Sequence, residues 1–229
     1  MVVSAIIPAA GRGLRMKSEE SKPFLTLCGR PILAWTLDVF EKCQAVDDII
    51  LVVSEEMLGL CRRKILEPFG YTQVRKIVVG GEQRQDSVYQ GLMAVPDMCD
   101  IVVVHDGARP LVHDETIRSS IRLCLEHQAV ITATPPKETI KQGEHGFATA
   151  TLDRSRLWSV QTPQTFFCGL LRRAHERARQ DGFVGTDDAS LVERLGEKVK
   201  ILEGSYDNIK ITTVEDVYVA EKILEQRCR

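Results

Sequence analysis

No apolar run in this sequence approaches the roughly 18–20 residues needed to span a bilayer. The opening stretch MVVSAIIPAAGRG has no basic start and no long apolar centre, so it reads as a strand entering a loop and not as a secretory signal. An excess of charge of one sign is missing too: 30 basic residues stand against 32 acidic ones, for a net charge of −2. No global field therefore argues for nucleic acid or an anionic membrane as partner. The seven cysteines (Cys28, Cys43, Cys61, Cys99, Cys124, Cys168 and Cys228) are odd in number, and no two share a C-x-x-C or other metal-ligand spacing. Several sit among apolar neighbours, as Cys124 does in IRLCLEH, the setting of small structural thiols kept reduced. The five histidines are scattered without an H-E-x-x-H or similar ligand set, which argues against zinc. Internal repeats, low-complexity tracts and linkers are absent. What is present is an ordinary globular composition, 44% apolar and 27% charged over 229 residues. That length suits one large α/β domain or two small ones, with a substantial core.

Short β-branched runs recur at Val2–Ile7, Ile49–Val53, Lys76–Val79, Ile101–Val104 and Ala129–Ala133. They lack strict alternation, as expected of strands covered on both faces. Helical patterns fill the gaps. Pro31–Lys42 has Pro at the first helical position and Ile32, Leu33, Thr36, Leu37 and Phe40 at helical spacing. Glu55–Glu67, Gln85–Ala94 and Thr116–Glu126 follow. This alternation predicts an α/β fold with a mostly parallel sheet and helices on both faces. The rhythm breaks at Thr134-Pro135-Pro136, and the polar, glycine-containing stretch Lys137–Asp153 reads as a projecting hairpin or arm. A second subunit is the economical surface for such an arm. Helices over Gly169–Gln180 and Asp188–Leu195, strands over Lys198–Leu202 and Asn208–Thr212, and a last helix from about Val214 complete the pattern. Thr213 with Asp216 three residues on forms an acidic variant of the capping box before that helix.

The strongest local feature is Pro8-Ala9-Ala10-Gly11-Arg12-Gly13-Leu14-Arg15-Met16, directly after the first strand. Ligands of open parallel sheets sit at the carboxyl ends of strands. Small residues there let backbone N–H groups approach phosphate oxygens, and Arg15 adds fixed charge. The loop is neither a Walker A motif nor an intact dinucleotide fingerprint, because Met16 stands where the third glycine belongs; a tight structural turn is the alternative reading. Lys22, in ESKPF, follows closely enough to fold over the same phosphates or else is a solvated charge. His105-Asp106-Gly107-Ala108-Arg109-Pro110 follows the Ile101–Val104 run. An Asp just past a buried strand sits where a Mg²⁺ ligand sits in phosphoryl-transfer sites, and Arg109 could pair with a phosphate. A structural Asp–Arg ion pair is the alternative. Gly80-Gly81-Glu82-Gln83-Arg84-Gln85-Asp86-Ser87 leads from a strand into a helix, with Arg84 and Ser87 one turn apart. Lys210, amid apolar residues, either snorkels or aims at an anion.

Taken in order along nearly the whole chain, PAAGRGLRM, SKPF, GGEQRQDSV, VVHDGARP, PKETIK, LDRSRLW, QTPQTF, TDDAS and DNIKIT resemble the 2-C-methyl-D-erythritol 4-phosphate cytidylyltransferase family of the non-mevalonate isoprenoid pathway. The resemblance implies a single Rossmann-like nucleotidyltransferase domain over residues 1–229, with residues 136–157 as a dimerisation arm, working as a cytoplasmic homodimer. It implies that Arg15 and Lys22 contact the CTP phosphates, that Ala9, Ala10, Gly11 and Gly13 line the nucleotide loop, and that Gly81, Glu82, Arg84 and Ser87 surround the cytosine. Asp106 would hold Mg²⁺ with the triphosphate. Arg109, Thr186 and Lys210 would bind the methylerythritol phosphate, and Thr139 and Arg154 would reach the substrate phosphate in the partner's site. Two positions depart from the pattern: Ser21, not Pro, precedes Lys22, and Gly107 stands where the family often has Ala. The implied reaction is attack of the substrate phosphate on the α-phosphorus of CTP, with pyrophosphate leaving. Two other readings use the same residues: a ribitol 5-phosphate cytidylyltransferase, which differs only in its acceptor contacts, and an NAD-dependent oxidoreductase, against which Met16 argues.

Overall fold

The computed structural model describes residues 1–11 and 24–227. In chain order its elements are β1 (Val3–Pro8), β2 (Thr26–Leu27), β3 (Arg30–Pro31), α1 (Ile32–Lys42), β4 (Asp48–Val53), α2 (Leu58–Cys61), α3 (Glu67–Phe69), β5 (Val74–Val79), α4 (Arg84–Ala94), β6 (Ile101–Val104), α5 (Asp114–His127), β7 (Ala129–Thr134), β8 (Lys141–Glu144), β9 (Phe147–Thr151), β10 (Ser159–Phe167), α6 (Cys168–Gln180), α7 (Asp188–Arg194), β11 (Lys200–Glu203) and α8 (Val214–Arg227). The β-branched runs pair into one seven-stranded sheet of order β11-β7-β10-β6-β1-β4-β5. All its ladders are parallel except those of β10, which runs antiparallel to both β6 and β7.

Alternation along β1 sends Ala5 and Ile7 to one face and Ile6 to the other. On the first face α1 and α5 pack through Leu33, Leu37, Phe40, Ile117 and Ile121; on the second, α4, α6 and α7 pack through Val88, Leu92, Leu171 and Val192. Burial on both faces is why the strands read as continuous apolar runs. A smaller cluster of Leu27, Ile32, Leu111, Ile211, Ala220 and Leu224 docks α8. Cys43, Cys61, Cys99, Cys124 and Cys168 are buried free thiols, and Cys28 is exposed. Burial pushes the Cys61 and Cys124 thiols up to about 12, so they behave as apolar filler. No described helix is long and apolar enough to cross a membrane.

Three local expectations change. Pro31 is not the first helical residue: it ends β3 in an extended conformation and caps α1, which starts at Ile32. The single helix expected over residues 55–67 is a succession of a 3₁₀ turn, α2, a π turn and α3, stopped by Gly70 at φ 64°. Pro68 has no N–H for the carbonyl one turn back, and the helix changes its winding just ahead of it. Residues 208–212 form no strand; their backbone is tied instead to the loop after β6, with the Ile211 N–H donating to the Ala108 carbonyl at 2.9 Å. Residues 159–167, for which the sequence pattern named no element, form β10, with the polar run Gln161–Gln164 around Pro163 inside it. Its register on β7 shifts between Val160 and Gln164, so the proline falls in the interruption of the ladder. Its hydroxyls find partners, Thr165 with Ser120 at 2.8 Å among them.

The polar stretch after β7 is a two-stranded hairpin, β8 with β9, exposed along its whole length. Phe147 at its turn is 78% exposed, and Leu152, Trp158 and Val160 near its base are exposed as well. The close approach of α4 to the sheet depends on Gly91. A Cβ added there would lie 2.5 Å from Ile6 Cγ2 and 3.1 Å from Val52 Cγ2. Gly91→Ala gains about 1 kcal/mol of helix propensity but should lose about 1–3 kcal/mol to overpacking. The variant is expected to melt below the parent in a thermal denaturation scan; a raised Tm would show that α4 does not sit this close.

Candidate active site

Two loops at the carboxyl ends of β1 and β5, the strands on either side of β4, form the floor of a cleft. After β1, Pro8–Gly11 turns over the sheet, with the Ala9 N–H donating to the Val52 carbonyl at 2.7 Å. After β5, Gly80 and Gly81 lead into α4. A Cβ on Gly80 would lie 2.6 Å from Ser87 Oγ and 2.8 Å from Ala10 Cβ, and one on Gly81 would lie 2.2 Å from Asp86 Cβ. Only glycine lets these two loops touch. Asp86 Oδ2 accepts from the Gln83 N–H at 3.3 Å and Ser87 Oγ donates to the Gln83 carbonyl at 3.1 Å, which sets the first turn of α4 and with it Arg84.

The third wall is Asp106, just past β6. Its carboxylate is buried, and three cations from different parts of the chain converge on it. Arg84 Nε donates to Oδ1 at 3.1 Å, Lys210 Nζ lies 2.9 Å from Oδ2, and Arg109 Nε lies 3.6 Å from Oδ2. Burial would raise the Asp106 carboxyl, but Arg84, Lys210 and Arg109 together override it and hold it well below the usual carboxylate range. Arg84 also donates from Nη1 to Asp188 Oδ2 at 2.7 Å, and Arg109 Nη1 donates to the Asn208 carbonyl at 2.7 Å. Asn208 is buried; its Nδ2 donates to the Thr162 carbonyl at 2.8 Å. Residues 208–212 are thus irregular because they serve as a strap that delivers Lys210. The strap continues into α8 through Asp216, whose carboxylate accepts the Thr212 and Thr213 N–H groups at 2.6 and 2.8 Å.

His105 had no role assigned from the sequence, yet it organises this wall. It is fully buried, with Nε2 3.1 Å from the Arg109 carbonyl and Nδ1 3.1 Å from Thr162 Oγ1. The Asp106 N–H donates to the same Thr162 oxygen at 3.0 Å. A carbonyl only accepts, so Nε2 carries the proton, Nδ1 accepts from the Thr162 hydroxyl, and that hydroxyl accepts from Asp106. Burial pushes His105 down to about 4, with the Arg109 carbonyl and Asp106 opposing in part, and the ring is neutral at pH 7. The signal available in the sequence was the polar run of β10: buried Thr162 and Gln164 require partners, and His105 and α7 supply them.

Pro8, Ala9, Ala10, Gly11, Gly81, Glu82, Arg84, Ser87, Asp106 and Lys210 are among the residues that line one cleft. A second cavity adjoins it, lined by Arg109, Gln161, Gln164, Thr186 and Asp187, and sharing Arg84, Asp106 and Lys210 with the first. Thr139 and Arg154 line neither; Arg154 lies at the base of the hairpin, its Nη1 donating to the Lys137 carbonyl at 2.9 Å. Gly13, Arg15 and Lys22 lie outside the described residues.

A cleft under a loop of small residues, a second cavity beside it and one cationic wall common to both define a nucleotidyltransferase on a Rossmann-like sheet. The comparisons make this particular: the chain belongs to the 2-C-methyl-D-erythritol 4-phosphate cytidylyltransferase family, whose profile matches residues 3–226. The enzyme of that name from Geotalea uraniireducens is 47% identical over 227 residues, covering 98% of this chain and 97% of its own. That from Caldanaerobacter subterraneus is 46% identical over 227 residues, covering 99% of this chain and 100% of its own. Among solved structures, the 4-diphosphocytidyl-2C-methyl-D-erythritol synthase of Anaerococcus prevotii superposes with a TM-score of 0.86 at 36% identity, covering 98% of this chain and 96% of that one. The cytidylyltransferase of Thermus thermophilus gives 0.82 at 32% identity, over 98% of this chain and 100% of that one.

The buried neutral histidine has a pH signature. Above its ordinary value of 6.5 both folded and unfolded chains hold it neutral; as pH falls from there toward 4 only the unfolded chain takes up the proton, so folding stability is lost across that window. The loss should reach about 3 kcal/mol. Thermal melts between pH 7 and 4.5 should show it in the parent and a flatter dependence in His105→Gln; equal slopes in the two would refute the neutral-histidine assignment.

Proposed function

We propose that this chain transfers CMP from CTP to 2-C-methyl-D-erythritol 4-phosphate, giving 4-diphosphocytidyl-2-C-methyl-D-erythritol and pyrophosphate. The observation that carries this reading is the shared wall of Arg84, Asp106 and Lys210 between two adjoining cavities. The cleft under Ala9–Gly11 and Gly81 takes the nucleotide, and the cavity with Arg109 and Thr186 takes the acceptor phosphate. Backbone groups at Ala9, Ala10, Gly11 and Gly13 approach the phosphates, while Gly81, Glu82, Arg84 and Ser87 surround the cytosine, Arg84 through its backbone, since its guanidinium lies on the wall between the two cavities. Arg15 and Lys22 contribute charge over the triphosphate. The acceptor's phosphate oxygen attacks the α-phosphorus in line, the bond to the β-phosphate oxygen breaks, and pyrophosphate carries away the electron pair. The nucleophile is already an anion at neutral pH, so no general base is required. The barrier is repulsion between two polyanions, and fixed cations aimed at the junction lower it without reorganising.

The described residues contain no group of three or more acidic, His or Cys side chains able to cage a metal. Asp106 is a single hard oxygen donor between the two cavities, which fits Mg²⁺, an ion held by one or two carboxylates with the remaining positions on phosphates and water. Both Asp106 oxygens already face cations, so Lys210 would turn from Oδ2 toward a phosphate when the ion binds there. Bound Mg²⁺ would supply neutralisation of the triphosphate. Thr139 and Arg154, which line neither cavity, fit a role in a partner's site, with the exposed apolar side chains of the hairpin covered in a homodimer. The reading implies a cytoplasmic enzyme.

Pyrophosphate release with CTP and Mg²⁺ should occur with methylerythritol phosphate and not with ribitol 5-phosphate; the opposite preference would replace this acceptor by the other. Lys210→Ala is expected to lower turnover on the order of 10²–10³-fold, as removal of one preorganised charge does; near-normal turnover would remove Lys210 from the mechanism. Mixing inactive Lys22→Ala and Arg154→Ala subunits should restore activity, because one site of each mixed dimer then holds both side chains. No recovery in demonstrated mixed dimers would mean that sites are not shared.

A further inference from the structure

Asp188 is a fully buried carboxylate that none of the roles above uses. It opens α7, whose first turn is fastened to β10: Gln164 Oε1 accepts the Asp188 and Ala189 N–H groups, each at 3.2 Å, and Gln164 Nε2 donates to Asp187 at 2.8 Å. Asp187 in turn accepts the Ser190 N–H at 2.9 Å. The Asp188 side chain is thereby turned inward. Its Oδ2 accepts from Arg84 Nη1 at 2.7 Å, while Oδ1 lies 3.6 Å from His175 Nε2 and has no hydrogen-bond partner. Arg84 is therefore gripped at two corners of its planar fork, by Asp106 on Nε and by Asp188 on Nη1. One carboxylate would leave the guanidinium free to swing about that contact; two from different elements fix its plane.

We propose that Asp188 is a positioning residue, which with Asp106 fixes the Arg84 guanidinium on the wall between the two cavities so that its free N–H groups face the phosphorus undergoing transfer. This rests on the nucleotidyl-transfer reading and goes beyond it in giving Asp188, with α7 and Gln164 behind it, a part in the chemistry that it never touches. A prealigned donor stabilises developing charge without reorganising, whereas a misplaced one loses rate more than affinity.

The test is a double-mutant cycle on the full chain: parent, D188N, R84A and R84A/D188N, assayed by CTP-dependent pyrophosphate release and by thermal melting. D188N keeps the size and removes the charge. It should lower kcat by about 10²-fold with little change in KM for CTP, and the double variant should be no slower than R84A. A structural role in α7 alone would act equally in both backgrounds. A D188N loss that multiplies with that of R84A, or a D188N kcat equal to the parent's, would overturn the proposal. Melting reads the same coupling without activity: R84A strands the buried Asp188 charge, so the double variant should melt at or above R84A, and a double variant melting below it would also overturn the proposal. A parent chain that releases no pyrophosphate from CTP would count against the function itself, and the melting cycle would still decide the pairing.

Discussion

The buried carboxylate of Asp106 is the constraint on which the site depends. A charge taken out of water must be paired, and removing a partner from a buried pair costs roughly 3–5 kcal/mol. Asp106 draws its partners from α4, from its own loop and from the strap before α8. The pairing works in both directions. Arg84, Arg109 and Lys210 would repel one another if brought together alone; one anion at their centre holds them at a common wall. Counting Asp188, two carboxylates face three cations, and the surplus positive charge is presented to the two cavities.

The fold puts that anion where it can be used. Strand order reverses around β1, which pairs with β4 on one side and β6 on the other, and such a switch point opens a crevice beyond the carboxyl ends of the strands. Ala9 leaves β1 on one side of the crevice and Asp106 leaves β6 next to it. The antiparallel β10 then brings polar side chains to the same edge, which a further parallel strand of apolar residues would not do. Thr162 accepts the Asp106 N–H directly and bonds His105 beside it, Gln164 fixes α7, and Gln161 and the Thr162 carbonyl fix the strap through Asn208.

The parallel sheet, its helices and the hairpin were legible because period and β-branching report burial directly: runs such as Ile101–Val104 can only be strands covered on both faces. The loops after β1, β5 and β6 were legible for a different reason, since glycine and charge next to such a run have few other uses. What stayed hidden was whatever depends on partners far along the chain. The strand β10 was not marked as a strand in the sequence, because its polar side chains are satisfied by partners far along the chain, Ser120 and His105 among them. Residues 208–212 carry a strand pattern, but their backbone bonds go to a loop and to Asp216 instead of to a ladder. His105 and Asp188 stand beside residues already singled out, and nothing local distinguishes a buried, paired side chain from a solvated one.

The same geometry limits what kind of catalysis the cleft can perform. His105 is the histidine closest to Asp106, and both of its nitrogens are engaged with protein groups that hold it neutral. It has no lone pair to offer a substrate proton, and taking one up would break its bond to Thr162 or Arg109. Asp106, held far below the usual carboxylate range by its three cations, is an equally poor base. A wall of this kind suits a reaction whose nucleophile arrives already ionised and whose difficulty is charge alone. That is the chemistry of a phosphate attacking a nucleoside triphosphate, and it explains how a chain with almost no net charge can act on polyanions: its cations are gathered around one buried anion, where they outnumber it.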